Sequence, residues 1–333
     1  MGYHIDIITR PTPGLAADAK IIRDSLSDCS VNAQVLFPRR RNLDLIHKKA
    51  ATIVQGFFCR EPREYINIFI EQLMPIWLSR RHLNIFIPNQ EWVRPETIEL
   101  LTEIDFVFCK TKYAEKIFKS KFPRVRYIGF SGVDKFNPSV KKYFDRCLHV
   151  AGRSAQKGTK TLLDVWAAHP EWPRLIVVSQ NPSYQHAVLP ENITLITRFV
   201  SPEEMRTLQN ECGIHLCPSE AEGYGHYIAE ALSCGAIVIT TKAPPMDELV
   251  TPDRGFLAPY SLTRCQSLGE NFYVDRDGLE GAIQAAFGLS ENQRQAMSNA
   301  ARAWFLENRA QFEANFPVLL RECINESGYL TKC

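Results

Sequence analysis

Short apolar runs alternate with longer amphipathic stretches along the whole chain. Ile5 to Thr9 reads as a first strand, ended by Pro11 and Pro13, with Ala16 to Leu26 a helix behind it. Val31 to Phe37, Asn84 to Ile87 and Phe106 to Cys109 read as further short strands, the last followed by a helix over Thr111 to Ser120. After a crossover at Asp134 to Pro138, strands are predicted at Cys147 to Ala151, Leu175 to Ser179, Ile193 to Ile196, Ile214 to Cys217 and Ala236 to Thr240, separated by helical stretches. A long final helix is predicted from Glu291 to Cys323. This alternation predicts an α/β protein: two Rossmann-like, doubly wound parallel-sheet domains facing a cleft, with ligands at the carboxyl ends of strands.

The most informative segment is Cys217-Pro-Ser-Glu-Ala-Glu222-Gly223-Tyr224-Gly225-His-Tyr-Ile-Ala-Glu230, followed by Ala-Leu-Ser-Cys-Gly and the run Ala236 to Thr240. It describes a polar loop, a helix opened between two glycines, and a buried strand. Such a helix start offers unpaired backbone N–H groups and a partial positive charge, a seat for a phosphate. Glu222 and Glu230 bracket that seat with carboxylates, which accept hydrogen bonds from hydroxyls. The chemistry suggested is a sugar joined to a diphosphate and a ribose.

The pattern Glu222-Gly-Tyr-Gly with Glu230 eight positions on resembles the signature of retaining glycosyltransferases of family four, which have the GT-B fold. Two glutamates at that spacing recur by chance, so the surroundings carry the resemblance. His149-Val-Ala-Gly-Arg153 with Lys157-Gly158-Thr159 resembles the family's strand, Gly-Arg turn and Lys-Gly helix start. Gly132-Val-Asp-Lys-Phe-Asn-Pro138 resembles its interdomain segment, Phe199-Val-Ser-Pro-Glu-Glu-Met205 its base-contacting loop and following helix, and Pro245-Met-Asp-Glu248-Leu-Val its segment after the signature. The order and spacing agree from residue 130 to 260. The resemblance implies an N-terminal, acceptor-side domain over 1–138, a nucleotide-sugar domain over 139–309, and a C-terminal helix over 310–333 that packs back on the first.

Composition sets the class without changing it. A chain of 333 residues suits two domains, and 45% hydrophobic with 23% charged residues is ordinary for a globular protein. The start, Met1 to Asp6, enters a strand and lacks the pattern of a secretory signal, so a cytoplasmic location is expected. The ten cysteines, spread without a Cys-x-x-Cys pair, read as reduced structural thiols. Residues 1–140 hold 21 Lys and Arg against 15 Asp and Glu, whereas the remainder holds 18 against 22. The densest basic cluster, Arg39, Arg40, Arg41, Lys48 and Lys49, reads either as a peripheral membrane contact or as a solvated surface. No helix-turn-helix, zinc pattern or aromatic-interleaved ribbon accompanies the charge, so nucleic acid is not an expected partner.

The resemblance implies a hexosyltransferase using a nucleotide-sugar donor, a glycan, lipid-linked or protein acceptor, and neither cofactor nor metal. Arg153 and Lys157 would neutralise the leaving diphosphate, Glu222 would bind donor-sugar hydroxyls, and the backbone of Gly223, Tyr224 and Gly225 would face the sugar and phosphate. Glu230 would hold the ribose, and Glu248 would order the phosphate-side loop. Arg198, Phe199 and Val200 would meet the base. Arg198 stands where the family usually has glycine, and it either reaches the ligand or points to solvent. In the first domain, Gly14 is the one glycine where the family commonly has a pair. Asn89 and Glu91 lie where a histidine often contacts the donor sugar, and either takes that contact or belongs to a polar turn. Two other readings stay open: a degenerate subunit of the same fold that binds nucleotide sugar or a partner without turnover, and a nucleotide-sugar epimerase. Asp275-Arg-Asp277 spells a metal-site motif of another glycosyltransferase fold, but an Asp before a helix reads as an N-cap.

Overall fold

The computed structural model describes residues 3–27, 31–38, 65–79, 82–184 and 186–328. The basic cluster at residues 39–41 and 48–49 lies outside the described residues. The chain divides into two compact units, residues 1–130 with 310–333, and residues 131–309.

The first unit is built on a six-stranded parallel sheet: β1 (Tyr3–Ile8), β2 (Val31–Leu36), β3 (Tyr65–Ile70), β4 (Leu83–Ile87), β5 (Phe106–Cys109) and β6 (Val125–Tyr127). Its order is β2-β1-β3-β4-β5-β6, so the direction of winding reverses between β1 and β3. β4 reads Leu-Asn-Ile-Phe-Ile and is buried throughout, as a central parallel strand covered on both faces must be. The helices of this unit are α1 (Pro13–Ser25), α2 (Pro95–Glu99) and α3 (Lys112–Lys119). Proline at the first position of α1 and of α2 sets φ for a helix without losing an intrahelical bond. Lys110 and Asp18 form an ion pair at 2.8 Å, each side chain 2% exposed, that ties the end of β5 to α1.

The second unit carries β7 (Tyr143–Gly152), β8 (Arg174–Ser179), β9 (Ile193–Ile196), β10 (Cys212–Cys217), β11 (Ile237–Thr241) and β12 (Gly255–Ala258), in the order β12-β11-β10-β7-β8-β9. Here the reversal lies between β7 and β10. An antiparallel hairpin follows, its first strand β13 (Tyr260–Gln266) exposed and its second, β14 (Gly269–Val274), largely buried. The helices are α4 (Thr159–Ala167), α5 (Pro202–Glu211), α6 (His226–Ser233), α7 (Met246–Leu249) and α8 (Arg276–Phe287). Neighbouring strand residues point to opposite faces: Cys147 and Val177 join the core with Trp166 of α4 and Ile283 of α8, while Leu148 and Val178 join a smaller core with Val200. The Ser201 hydroxyl accepts from Glu204 N at 3.1 Å, capping α5 ahead of Pro202, a cap that contributes ~1 kcal/mol. Asp275 caps α8 through Gly278 N at 2.9 Å, in accord with its reading as an N-cap.

The final helix, α9, runs Glu291–Glu326. Its first part belongs to the second unit, where Phe305 is buried and lies near Gly132, and Arg302 pairs with Asp134 at 2.7 Å. Its last part belongs to the first unit, where Phe312 and Phe316 pack on Phe130 and Phe108, with ring centroids 5.1 and 6.2 Å apart. The segment 131–138, assigned to the first domain by the sequence, counts with the second unit. The contacts of Asp134 with Arg302 and of Asn137 N with Asn210 Oδ1, at 2.8 Å, hold it there. Among the described residues no helix is long and apolar enough to cross a membrane. Cys109, Cys147, Cys212, Cys217, Cys234 and Cys323 are buried free thiols and Cys265 an exposed one. Burial pushes Cys212 up to about 12 and Cys234 and Cys323 up to about 11.

Candidate functional site

A doubly wound sheet leaves a crevice at the carboxyl edge where its strand order reverses, because the loops of the two flanking strands run in opposite directions. In the second unit those are the loops after β7 and β10, which carry Arg153 to Lys157 and Pro218 to Gly225. Gly152 and Gly158 both adopt left-handed φ, 56° and 63°. A Cβ on Gly158 would stand 2.2 Å from the Pro218 carbonyl oxygen, so the two loops abut only because residue 158 is glycine.

The abutting loops join through one ion pair. Lys157 Nζ donates to Glu222 Oε1, and the Ser219 hydroxyl donates to the same oxygen. Ser219 Oγ also bonds the Tyr227 hydroxyl at 2.6 Å, and Lys157 Nζ lies 4.0 Å from the centre of the Tyr227 ring. The side chains of Lys157 and Glu222 are 17% and 11% exposed. Charges this far out of water hold each other in place, since removing either leaves the other unpaired. Burial, then Cys217 and Glu222, raise the Tyr227 phenol further, so it stays protonated and able to donate. Arg153 is exposed and, among the described residues, makes no hydrogen bond or ion pair, which leaves its guanidinium available to an anion.

Two supports were not legible as such in the sequence. His149 in β7 is fully buried, with Nδ1 donating to the Leu216 carbonyl at 2.7 Å and Nε2 accepting from the Thr159 hydroxyl at 2.8 Å. It therefore pins β7, β10 and the start of α4 together, and burial lowers it to about 4, keeping it neutral. Gln156 is the second support. Its carbonyl accepts from Glu220 N, the Glu220 carbonyl accepts from Phe272 N, and its side-chain amide donates to Gln266 and Asn271 of the hairpin. The hairpin thus braces both loops at once.

α6 starts at Gly225, whose φ of 108° suits glycine, and no side chain caps it. Its first-turn amides stand directly after Glu222 in the chain, a seat for an anion. Tyr224 is 4% exposed, its hydroxyl bonded by Asn308 at 3.4 Å, so it offers a ligand its backbone rather than its ring. Glu230, one turn into α6, accepts from Gln209 at 2.9 Å and pairs with Lys135 at 3.5 Å. Glu248 lies in α7, just after β11, at the same carboxyl edge.

The base-contacting loop divides three ways. Arg198 donates to Glu204 through both terminal guanidinium nitrogens, and Phe199 stands 79% exposed. Val200 turns into the core, which leaves its backbone alone for any ligand. In the first unit, Gly14 is the second residue of α1, and a Cβ built there meets nothing within 4 Å. Asn89 and Glu91 are buried after β4. Asn89 donates to Glu71 Oε2 at 2.9 Å, and Arg10 donates to Glu71 Oε1 at 2.5 Å. Neither Arg10 nor Glu71 was singled out by sequence, because Glu71 follows β3, a strand without a predicted counterpart.

Residues 136–264 match the family model for Glycosyl transferases group 1. The chain carries a glycosyltransferase domain. That match takes in both abutting loops, α6 and Glu248, every proposed donor residue except Gly14. No curated protein sequence matches the chain. Among solved structures, the glycosyltransferase superposes on the sucrose-phosphate synthase from Thermosynechococcus elongatus at a TM-score of 0.72 and 14% identity, covering 97% of this chain and 100% of that one. Anabaena Alr3699/HepE in complex with UDP gives 0.66 at 16%, covering 96% and 100%. The UDP-forming alpha,alpha-trehalose-phosphate synthase from Burkholderia vietnamiensis gives 0.66 at 12%, with the same coverage. The fold is GT-B, as the two parallel sheets predict.

Proposed function

We propose that this glycosyltransferase is a retaining family-four enzyme that moves a hexose from a nucleotide sugar to an acceptor hydroxyl without a metal. The observation that carries the reading is the Lys157–Glu222 pair, set at the strand-order reversal of the second sheet and beside the uncapped start of α6. A diphosphate leaving group gathers negative charge as the bond from sugar C1 to phosphate oxygen breaks. Lys157, Arg153 and the α6 amides supply the opposing charge, and Glu222 accepts hydroxyls of the sugar. The acceptor oxygen bonds to C1 on the face the diphosphate leaves, and its proton passes to a phosphate oxygen. Glu230 holds the ribose and Phe199 stacks on the base.

UDP is the first donor nucleotide to test, because UDP is bound in the Anabaena structure and named in the Burkholderia synthase. A thermal-shift panel of UDP-, GDP- and ADP-sugars identifies the base, since a ligand that binds only the folded state raises Tm by mass action. Activity unchanged by EDTA is expected. The rival reading, a subunit that binds without turnover, draws on Asn89 and Glu91 standing where a histidine is usual. Donor binding with no product from any acceptor would favour it.

A further inference from the structure

The first sheet has its own reversal, between β1 and β3, and its loops hold a second buried polar constellation. Arg10 follows β1, Glu71 is the first residue past β3, and Asn89 follows β4. Glu71 is a non-glycine residue with φ of 67°, a conformation that L side chains rarely adopt and that folds retain where the surroundings fix it. Its own amide donates to the Ile87 carbonyl at 2.8 Å, and its carboxylate receives Arg10 and Asn89. Glu71 is 7% and Asn89 8% exposed.

Among the described residues two atoms in this cluster have no partner: Asn89 Oδ1, an acceptor, and Arg10 Nε, a donor. Buried orphans of this kind are uncommon, and here an orphan acceptor and an orphan donor flank one carboxylate. A hydroxyl both donates and accepts, so a pair of neighbouring hydroxyls satisfies the set: one donates to Asn89 Oδ1 or Glu71, the other accepts from Arg10. An anion does not fit as well, because the Arg10 charge is already met by Glu71. Arg10 is the outer member, its side chain 39% exposed, so an entering group meets it first and reaches the carboxylate by sharing its contact.

We propose that Glu71, with Arg10 and Asn89, forms a site for the neutral, vicinal hydroxyls of the acceptor, making the first unit select a sugar or polyol by its hydroxyls rather than by a charged group. This rests on the transferase reading above and names the acceptor chemistry that reading leaves open.

The test uses the full chain with the donor nucleotide found by thermal shift. Binding of methyl α-glucoside, methyl α-mannoside and methyl α-galactoside, and of the corresponding sugar 6-phosphates, is measured by saturation-transfer NMR on wild type, Glu71→Gly and Asn89→Leu. Glycine accepts the left-handed φ, so Glu71→Gly removes the carboxylate while keeping the turn. The expected result is that at least one neutral glycoside binds the wild type, and binds at least tenfold more weakly to both variants, with donor-nucleotide affinity unchanged. Equal binding by Glu71→Gly, binding of the phosphates alone, or no neutral glycoside bound would overturn the proposal. Loss of the donor thermal shift in the wild type would instead sink the transferase reading.

Discussion

The two sheets place a cation and a carboxylate at the same topological point, yet the pairs are dressed for different ligands. At the reversal of the second sheet, Lys157 and Glu222 lie among glycines, beside an open helix start and an exposed Arg153, so the surroundings favour an anion. At the reversal of the first, Arg10 and Glu71 lie among buried side-chain amides. Excess positive potential suits a diphosphate and balanced charge with orphan amide atoms suits hydroxyls. One architecture thus yields two kinds of pocket edge, and the side chains after each strand decide which.

The largest effect expected concerns a pair that belongs to neither edge. Lys110 and Asp18 pair while fully buried, so Asp18→Asn should cost roughly 3–5 kcal/mol in urea unfolding. Donor affinity per folded molecule should not change. If donor binding falls as well, the split between structural and ligand-facing pairs is wrong. Next, Lys157→Met should lower kcat on the order of 10²–10³-fold, as loss of one donor to a developing charge does. Circular dichroism should show the fold retained.

Acid should then loosen the second unit in particular. His149 and His215 are lowered by burial to about 4 and about 3. The unfolded chain binds their protons first, so their contribution is fully present above about pH 6.5 and is lost as pH falls from there toward 4 and 3. At most these amount to about 3 kcal/mol for His149 and about 5 kcal/mol for His215. His149→Gln should flatten the slope of stability against pH in that window, and an unchanged slope would refute the neutral latch. The smallest effect is expected at Phe199, which is largely exposed: Phe199→Ala should leave Tm in place and weaken nucleotide binding by ~1 kcal/mol if the ring stacks on the base.

How legible this was depended on burial. The runs at Phe106 to Cys109 and Ile193 to Ile196 are apolar because parallel strands are covered on both faces, and they coincide with β5 and β9. The loops after β7 and β10 were readable because glycines, a lysine and glutamates keep their order in a short stretch. β3 has no predicted counterpart although Tyr65-Ile-Asn-Ile-Phe-Ile carries the same kind of apolar run and is buried from Ile66 to Ile70. Glu71 went with it, because a left-handed backbone at a glutamate has no sequence signal. β13 was missed because its residues are almost all exposed, so no apolar run marks it. Arg198 could not be decided, because its partner Glu204 lies in the following helix and only the fold brings them together.

The central claim is that a nucleotide diphosphate sits where the loops after β7 and β10 meet. Calorimetric titration of UDP, GDP and ADP into wild type, Lys157→Met and Glu71→Gly tests it most directly. The account predicts that one of the three binds the wild type, that Lys157→Met weakens it at least tenfold, and that Glu71→Gly leaves it unchanged. Binding that survives Lys157→Met intact, or no binding of any of the three, would contradict it.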